Sequence, residues 1–161
     1  MDLRVGTGID FHRLIEDHSR PLLLAAVEIP GSLALDGHSD ADIVLHAAAD
    51  AILGALGLGD IGEFFPDTDA DLKNMDSREI IDHAVAAAAE RGYSISNMDV
   101  TLIGERPKVA PQRGAIRESL AELLKIEIER TSIKATTTEK MGALGRKEGL
   151  ACMATVLLMK A

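Results

Sequence analysis

The sequence predicts an α+β fold: one domain in which a small mixed β-sheet is covered by helices on one face. Three features carry the prediction. Extended apolar or β-branched segments alternate loosely with segments of helical period. The 161 residues suit one domain, and no internal repeat, low-complexity block or linker divides them. Hydrophobic residues make up 47% of the chain, enough for one packed core.

In chain order, Arg4–Phe11 reads as a strand and Leu22–Ile29 as a second strand or hairpin arm. Asp40–Leu56 (DADIVLHAAADAILGAL) is the clearest helix, with Ser39 and Asp40 as caps and Gly57 and Gly59 as its stop. Phe64–Asp71 reads as a polar loop around Pro66. Ser77–Arg91 is a second helix, capped by Asp76 or Ser77 and stopped by Gly92. Met98–Gly104 is a strand, and Gln112–Leu124 is a third helix after Pro111. Ser132–Thr137 and Leu150–Met159 complete the sheet as strands.

Aromatic residues are 2% of the chain, with no Trp and one Tyr, so the core must be aliphatic. The same scarcity argues against an aromatic sandwich around a nucleotide base, which would be read mainly by backbone groups. The net charge of -9 argues against a nucleic-acid binder. Residues 1–80 carry -11 and residues 81–161 carry +2, which suits cations in the first half and phosphates in the second. The same split also fits an ordinary solvated surface. Cys152 is the single cysteine, so no internal disulfide forms. No secretory signal or membrane-length apolar stretch is visible, and the expected setting is cytoplasmic, with no membrane partner.

Four clusters offer chemistry. Asp10 and His12, at i and i+2 of a strand, share one face and can grip one ion, though a D-x-H pair is also common by chance without a ligand role. His46 lies in an apolar helical run. Alone it reads as a core histidine; beside Asp10 and His12 it is a candidate third ligand. Two His and one carboxylate leave a fourth position open, the pattern of a catalytic zinc. Asp40, Asp42 and Asp50 read either as residues that orient those ligands or as exposed helix acids. Asp60-Ile61-Gly62 and Phe65-Pro66-Asp67-Thr68-Asp69 offer glycine backbone and acids to a ligand, or form a helix stop and a surface loop. In Lys134–Lys140, Thr136, Thr137 and Thr138 can donate to phosphate oxygens, and Glu139 can hold a divalent ion. Neither a P-loop nor an H-E-x-x-H motif is present. Gly6-Thr7-Gly8 begins like a dinucleotide fingerprint, but Phe11 stands where its last glycine should be.

Taken in order, G-x-G-x-D-x-H, GHSDADIVLHAAADAILGALGLGDIGEFFPDTD, ERPKVAP, IKATTTEKMG and GRKEG resemble the 2-C-methyl-D-erythritol 2,4-cyclodiphosphate synthases along nearly the whole chain. The block Gly37–Asp69 is the most specific part. The resemblance implies one zinc ion per chain on Asp10, His12 and His46. It implies a Mg²⁺ or Mn²⁺ ion at Glu139, bridging a diphosphate. His38 and Thr137 are implied as transition-state stabilisers. Substrate contacts are implied at Asp10, Phe11 and His12, at His38 and Ser39, at Asp60–Gly62 and at Phe65–Asp69. Gly104, Glu105, Arg106, Pro107, Lys108, Val109 and Ala110 resemble a cytosine-binding loop, and Thr136–Glu139 a diphosphate site.

The implied reaction is cyclisation of 4-diphosphocytidyl-2-C-methyl-D-erythritol 2-phosphate, a step of the non-mevalonate isoprenoid precursor pathway, with release of CMP. The implied assembly is a ring-shaped homotrimer with active sites shared between neighbours. Arg146 and Ala143 fall at the implied central cavity of that ring, where an isoprenoid diphosphate is expected. Ile9 and Ala143 stand where relatives often carry aromatics, so weak binding is expected there. Two other classes compete with this reading: a zinc phosphoesterase using the same three ligands, and a metal-binding or isoprenoid-sensing module without catalysis.

Overall fold

The computed structural model describes residues 2–66, 68, 72 and 74–160. It has the predicted class: a five-stranded mixed sheet with helices packed on one face. The strands are β1 (Leu3–Glu16), β4 (Leu33–Leu35), β5 (Tyr93–Ile103), β6 (Thr131–Thr136) and β7 (Gly149–Lys160), in the order β4-β1-β7-β5-β6. β5 and β6 run parallel; the other pairs are antiparallel. β2 (Leu22–Leu24) and β3 (Val27–Ile29) form a separate hairpin, so the second predicted strand is two arms and a turn.

The centre of the fold is α1 (Ile43–Leu56). Twelve of its fourteen residues are buried. A helix apolar all round must be covered all round: β1 and β7 lie on one side and α3 (Ser77–Glu90) on the other. The short α2 (Ile61–Phe64) follows α1, α4 (Arg113–Leu124) packs against β6 and α3, and the short α5 (Gly142–Gly145) precedes β7. The core is aliphatic, as the composition requires, with Tyr93 its one buried aromatic.

The predicted start of α1 is corrected. The helix begins at Ile43, and its cap is Asp42, not Ser39 or Asp40. One oxygen of Asp42 accepts from Val44 and Leu45 N–H and from Ala25 N–H; the other accepts from Ala26 N–H at 2.6 Å. Asp42 therefore ties the β2–β3 turn to the start of α1. That turn has positive φ at both Ala25 and Ala26, a conformation alanine does not favour. Ser119 Oγ holds it from the other side by donating to Ala25 O at 2.6 Å. Burial pushes the Asp42 carboxyl above its ordinary value, against the opposing effect of these backbone N–H groups.

Gly6 and Gly8 explain how β1 meets α1. A Cβ on Gly8 would overlap the Ala47 carbonyl oxygen, and one on Gly6 the Ala51 carbonyl oxygen. Backbone therefore packs on backbone, and even-numbered residues of β1 face the helix. Gly8→Ala is expected to lower stability by roughly 3 kcal/mol, because helix carbonyls cannot rotate aside as a side chain would. The same variant is expected to weaken metal binding by moving β1 away from α1. Urea unfolding and zinc titration of the variant check both effects; unchanged values would show that the close approach matters to neither.

Odd-numbered residues of β1 point away from the helices. Leu3, Val5, Ile9 and Phe11 are exposed there (Phe11 by 66%), beside Met153 and Met159 of β7. The open face of the sheet is thus largely apolar over β1 and β7.

Candidate active site

Asp10 and His12 project from β1 toward α1, and His46 meets them from the first turns of that helix. Asp10 Oδ2 lies 3.0 Å from His12 Nε2 and 3.1 Å from His46 Nδ1, and the two nitrogens are 3.2 Å apart. His46 is buried; Asp10 and His12 are half-buried. His12 Nδ1 sits 2.8 Å from the Asp36 carbonyl oxygen, to which it donates, leaving Nε2 with its lone pair toward the cluster.

Three atoms able to act as ligands converge on one point, an arrangement that suits a cation. Their separations approach the edge of about 3.3 Å expected of a tetrahedron with ligand bonds near 2.0 Å. Asp10, His12 and His46 are a group able to hold a metal ion, and their donor set fits zinc.

Burial raises the Asp10 pKa, but the adjacent His12 and His46 rings, which favour the charged carboxylate, outweigh it. The carboxyl is held well below the usual range. Burial lowers the His12 pKa, but Asp10 and the Asp36 carbonyl raise it above the ordinary value overall.

The three residues line a cleft of about 870 Å³. Its walls include His38, Ser39, Ile61, Gly62, Phe65, Pro66 and Thr68 from the predicted set. Asp36, Gly37, Leu72, Met75 and Ile80 complete it; none of these five was assigned to the site from the sequence. Asp67 and Asp69 lie outside the described residues. Asp60 is at the cleft's edge as the cap of α2, accepting from Gly62 N–H at 2.9 Å. Asp50, one turn beyond His46, accepts from Ile61 N–H at 2.8 Å and fixes this loop to α1. Burial raises the Asp50 pKa against the effect of that N–H.

The loop carrying His38 is held through its backbone. Arg20 donates to the carbonyls of Gly37 and Ser39, and Asn74 N–H donates to His38 O at 2.7 Å. His38 is itself exposed. Behind the metal group, Ser77 Oγ lies 2.9 Å from His46 Nε2 and hydrogen-bonds to Asp40. From the sequence Ser77 was a possible helix cap and nothing more; the observed cap of α3 is Asp76.

A second cluster forms at the C-terminal ends of β5 and β6. Parallel pairing sets Ile103 against Thr136, and Gly104 N–H donates to Thr136 O at 3.0 Å. The segment Gly104–Ala110, with its cis Arg106–Pro107 bond, therefore starts beside Thr136–Lys140. Glu105 accepts from Lys140 N–H at 3.0 Å. Thr137 Oγ1 donates to Glu139 and accepts from Glu139 N–H, both at 3.2 Å. Glu139 and Lys140 both have positive φ, so the chain turns sharply there. Thr138 Oγ1 donates to Met141 O at 2.8 Å.

Within one chain the two clusters stay apart. None of Gly104–Ala110 or Thr136–Glu139 lines the metal cleft. Register aligns Phe11, Ala151, Ile103 and Thr136 across the sheet. Thr136 therefore falls on the open face with Phe11, three strand spacings away, or about 14 Å. Asp10 and His12 face the other way. Ala143 is exposed near Arg146, whose guanidinium pairs with Glu148 at 2.6 Å.

The whole chain has close relatives. It is 55% identical over 157 residues to a 2-C-methyl-D-erythritol 2,4-cyclodiphosphate synthase of Leptospira borgpetersenii, covering 98% of each chain. The bifunctional IspDF from Campylobacter jejuni matches with a TM-score of 0.94 and 42% identity over 99% of this chain and 43% of that larger one. The Plasmodium falciparum IspF in complex with CDP matches with a TM-score of 0.86 and 33% identity, over 98% of this chain and 96% of that one. The profile of the YgbB family spans residues 3–159, and with relatives more than half identical along nearly the full length the chain belongs to that family, the 2-C-methyl-D-erythritol 2,4-cyclodiphosphate synthases.

Proposed function

We propose that the protein converts 4-diphosphocytidyl-2-C-methyl-D-erythritol 2-phosphate to 2-C-methyl-D-erythritol 2,4-cyclodiphosphate and CMP, in the non-mevalonate isoprenoid precursor pathway. The observation that carries the reading is the convergence of Asp10, His12 and His46 at one cleft of a chain whose relatives bear that enzyme's name. Nucleophile and leaving group belong to one substrate. The 2-phosphate oxygen bonds to the β-phosphorus as the bond from that phosphorus to the bridging oxygen breaks, and CMP leaves with the bridging oxygen. No covalent enzyme nucleophile is required, and catalysis rests on positioning and charge stabilisation.

The roles of the side chains follow. Asp10, His12 and His46 hold one zinc ion, and Glu139 holds Mg²⁺ or Mn²⁺ with the diphosphate. When bound, these ions supply Lewis-acid polarisation and positioning of phosphate oxygens. His38 and Thr137 donate hydrogen bonds to the oxygens that gain charge in the transition state. Ser39, Asp60–Gly62 and Phe65–Asp69 enclose the methylerythritol portion, whereas Phe11 faces the open side of the sheet and does not line this cleft. Gly104–Ala110 reads cytosine through its backbone, in keeping with a chain poor in aromatics. Thr136 and Thr138 support the diphosphate.

The site is completed by a neighbouring subunit of a homotrimer. Three observations support this. The two clusters lie apart in one chain, the open sheet face is largely apolar over β1 and β7, and the charge differs between the two halves of the sequence. At the centre of that ring, Ile9 and Ala143 offer little surface to an isoprenoid chain, so Arg146 binds the diphosphate of such a ligand only weakly. The protein works in the cytoplasm. A single buried Cys152 fits that setting, and among the described residues no helix is long and apolar enough to cross a membrane.

Incubation with the cytidyl substrate, zinc-loaded protein and Mg²⁺ is expected to yield CMP and the cyclic diphosphate in equal amounts, read by phosphorus NMR. Recovery of intact substrate would reject the assignment.

A further inference from the structure

We propose that Ser77 and Asp40 form a positioning relay that fixes the tautomer of His46 and thereby aims its Nδ1 lone pair at the metal position. The inference rests on the metal-binding reading of Asp10, His12 and His46.

The argument is an account of protons. Asp40 accepts three hydrogen bonds: from Asp42 N–H at 3.1 Å, from Ser77 N–H at 3.0 Å, and from the Ser77 hydroxyl. A hydroxyl has one proton, and that of Ser77 is committed to Asp40. Only its lone pairs remain for His46 Nε2, 2.9 Å away. His46 Nε2 therefore carries a proton, and the neutral ring keeps at Nδ1 the lone pair that faces Asp10 and His12. Ser77 is fully buried, so water cannot stand in for it.

Ser39 Oγ also lies near Nε2, at 3.2 Å. It accepts from Ala41 N–H and donates to no protein group among the described residues, so its proton is free to turn either way. Ser39 therefore follows the tautomer and does not set it. His12 differs in kind, because its Nδ1 donates to a backbone carbonyl that no side-chain substitution removes. The relay thus governs one histidine and leaves the other alone.

The relay also joins three pieces of the fold. Asp40 stands in the loop before α1, Ser77 is the first residue of α3, and His46 is on α1. Asp40 N–H further donates to Met75 O at 3.1 Å, holding the approach to α3 against the same loop. Partners of this type are worth about ten- to a hundredfold in metal affinity.

The test uses the full chain and zinc alone. In metal-free wild type, at a pH where both rings are neutral, long-range proton–nitrogen correlation should show the His46 ring protonated at Nε2 and the His12 ring at Nδ1. A neutral His46 ring protonated at Nδ1 overturns the proposal without any variant. Ser77→Ala should mix the His46 tautomers, leave His12 unchanged, and weaken zinc binding about ten- to a hundredfold by chelator competition. Asp40→Asn keeps acceptor oxygen and removes charge; it should shift both readouts the same way by less, and it stands in if Ser77→Ala does not fold.

His46→Ala separates the two levels of the argument. If that variant binds zinc like wild type, the metal-binding reading fails and the tautomer assignment is judged by the nitrogen shifts alone. If it loses zinc while Ser77→Ala binds within about threefold of wild type with an unchanged tautomer, the relay is overturned.

Discussion

Replacing His46 with Ala is expected to strip zinc from the protein and abolish turnover. In the proposed zinc site the side chain supplies one of three protein ligands, and it is the most deeply buried of them. Apparent zinc-binding free energies in protein sites are about 10–16 kcal/mol, so losing a third of the ligand set is worth roughly 4 kcal/mol, about a thousandfold in affinity. Metal content should fall from about one zinc per chain to below about a tenth after dialysis. The fold should survive, since α1 is held by its many other buried residues and by the Asp42 cap. Metal analysis beside a circular dichroism spectrum checks both points, and full zinc occupancy in a folded variant would remove His46 from the site.

Equal mixing of two inactive variants is expected to restore about a quarter of wild-type activity. His46→Ala spoils the metal cleft; Glu139→Gln spoils the second cluster, because an amide cannot match a carboxylate's charge at a hard cation. Each variant alone should be inactive. In one chain none of the second cluster lines the metal cleft and Thr136 faces away from it, and in the proposed trimer a neighbour brings the two together. Random reassembly after unfolding makes about three in four trimers mixed, and each mixed head-to-tail ring has one junction of two intact halves. One working site in three, in about three quarters of the rings, gives about a quarter. If mixed trimers confirmed by native mass spectrometry stay inactive, the shared site is wrong.

What could be read from the sequence, and what could not, follows from the range of each interaction. Strand alternation gives Asp10 and His12 a common face, but such a pair is common by chance, and His46 alone reads as a core histidine; the family resemblance is what joined the three. That the three meet in space depends on Gly6 and Gly8. Their spacing looked like a failed dinucleotide fingerprint, whereas their use is to let β1 lie directly on the α1 backbone.

The choice of Ser39 or Asp40 as cap missed Asp42 for a similar reason. Any of several adjacent polar residues can cap locally, and the choice was made by the distant Ala25–Ala26 turn that Asp42 also binds. Nothing in two consecutive alanines announces a turn with positive φ. β5 begins at Tyr93, five residues before the predicted Met98, because the polar residues Ser94, Ser96 and Asn97 mask a segment that pairs along β7. Ser77 carried only a capping signal, and its approach to His46 comes from packing α3 across α1. The separation of the metal group from Thr136 depends on sheet order and register, which residue spacing does not reveal.

The central claim is an intramolecular phosphoryl transfer, and oxygen-18 water tests it most directly. With the zinc-loaded protein, Mg²⁺ and the cytidyl substrate in labelled water, neither CMP nor the cyclic diphosphate should gain a labelled oxygen, because the attacking oxygen comes from the substrate's own phosphate. Mass spectrometry of both products reads the result. A labelled oxygen in either product, with a linear phosphate in place of the ring, would show that water attacks phosphorus and that the same three metal ligands serve a phosphoesterase.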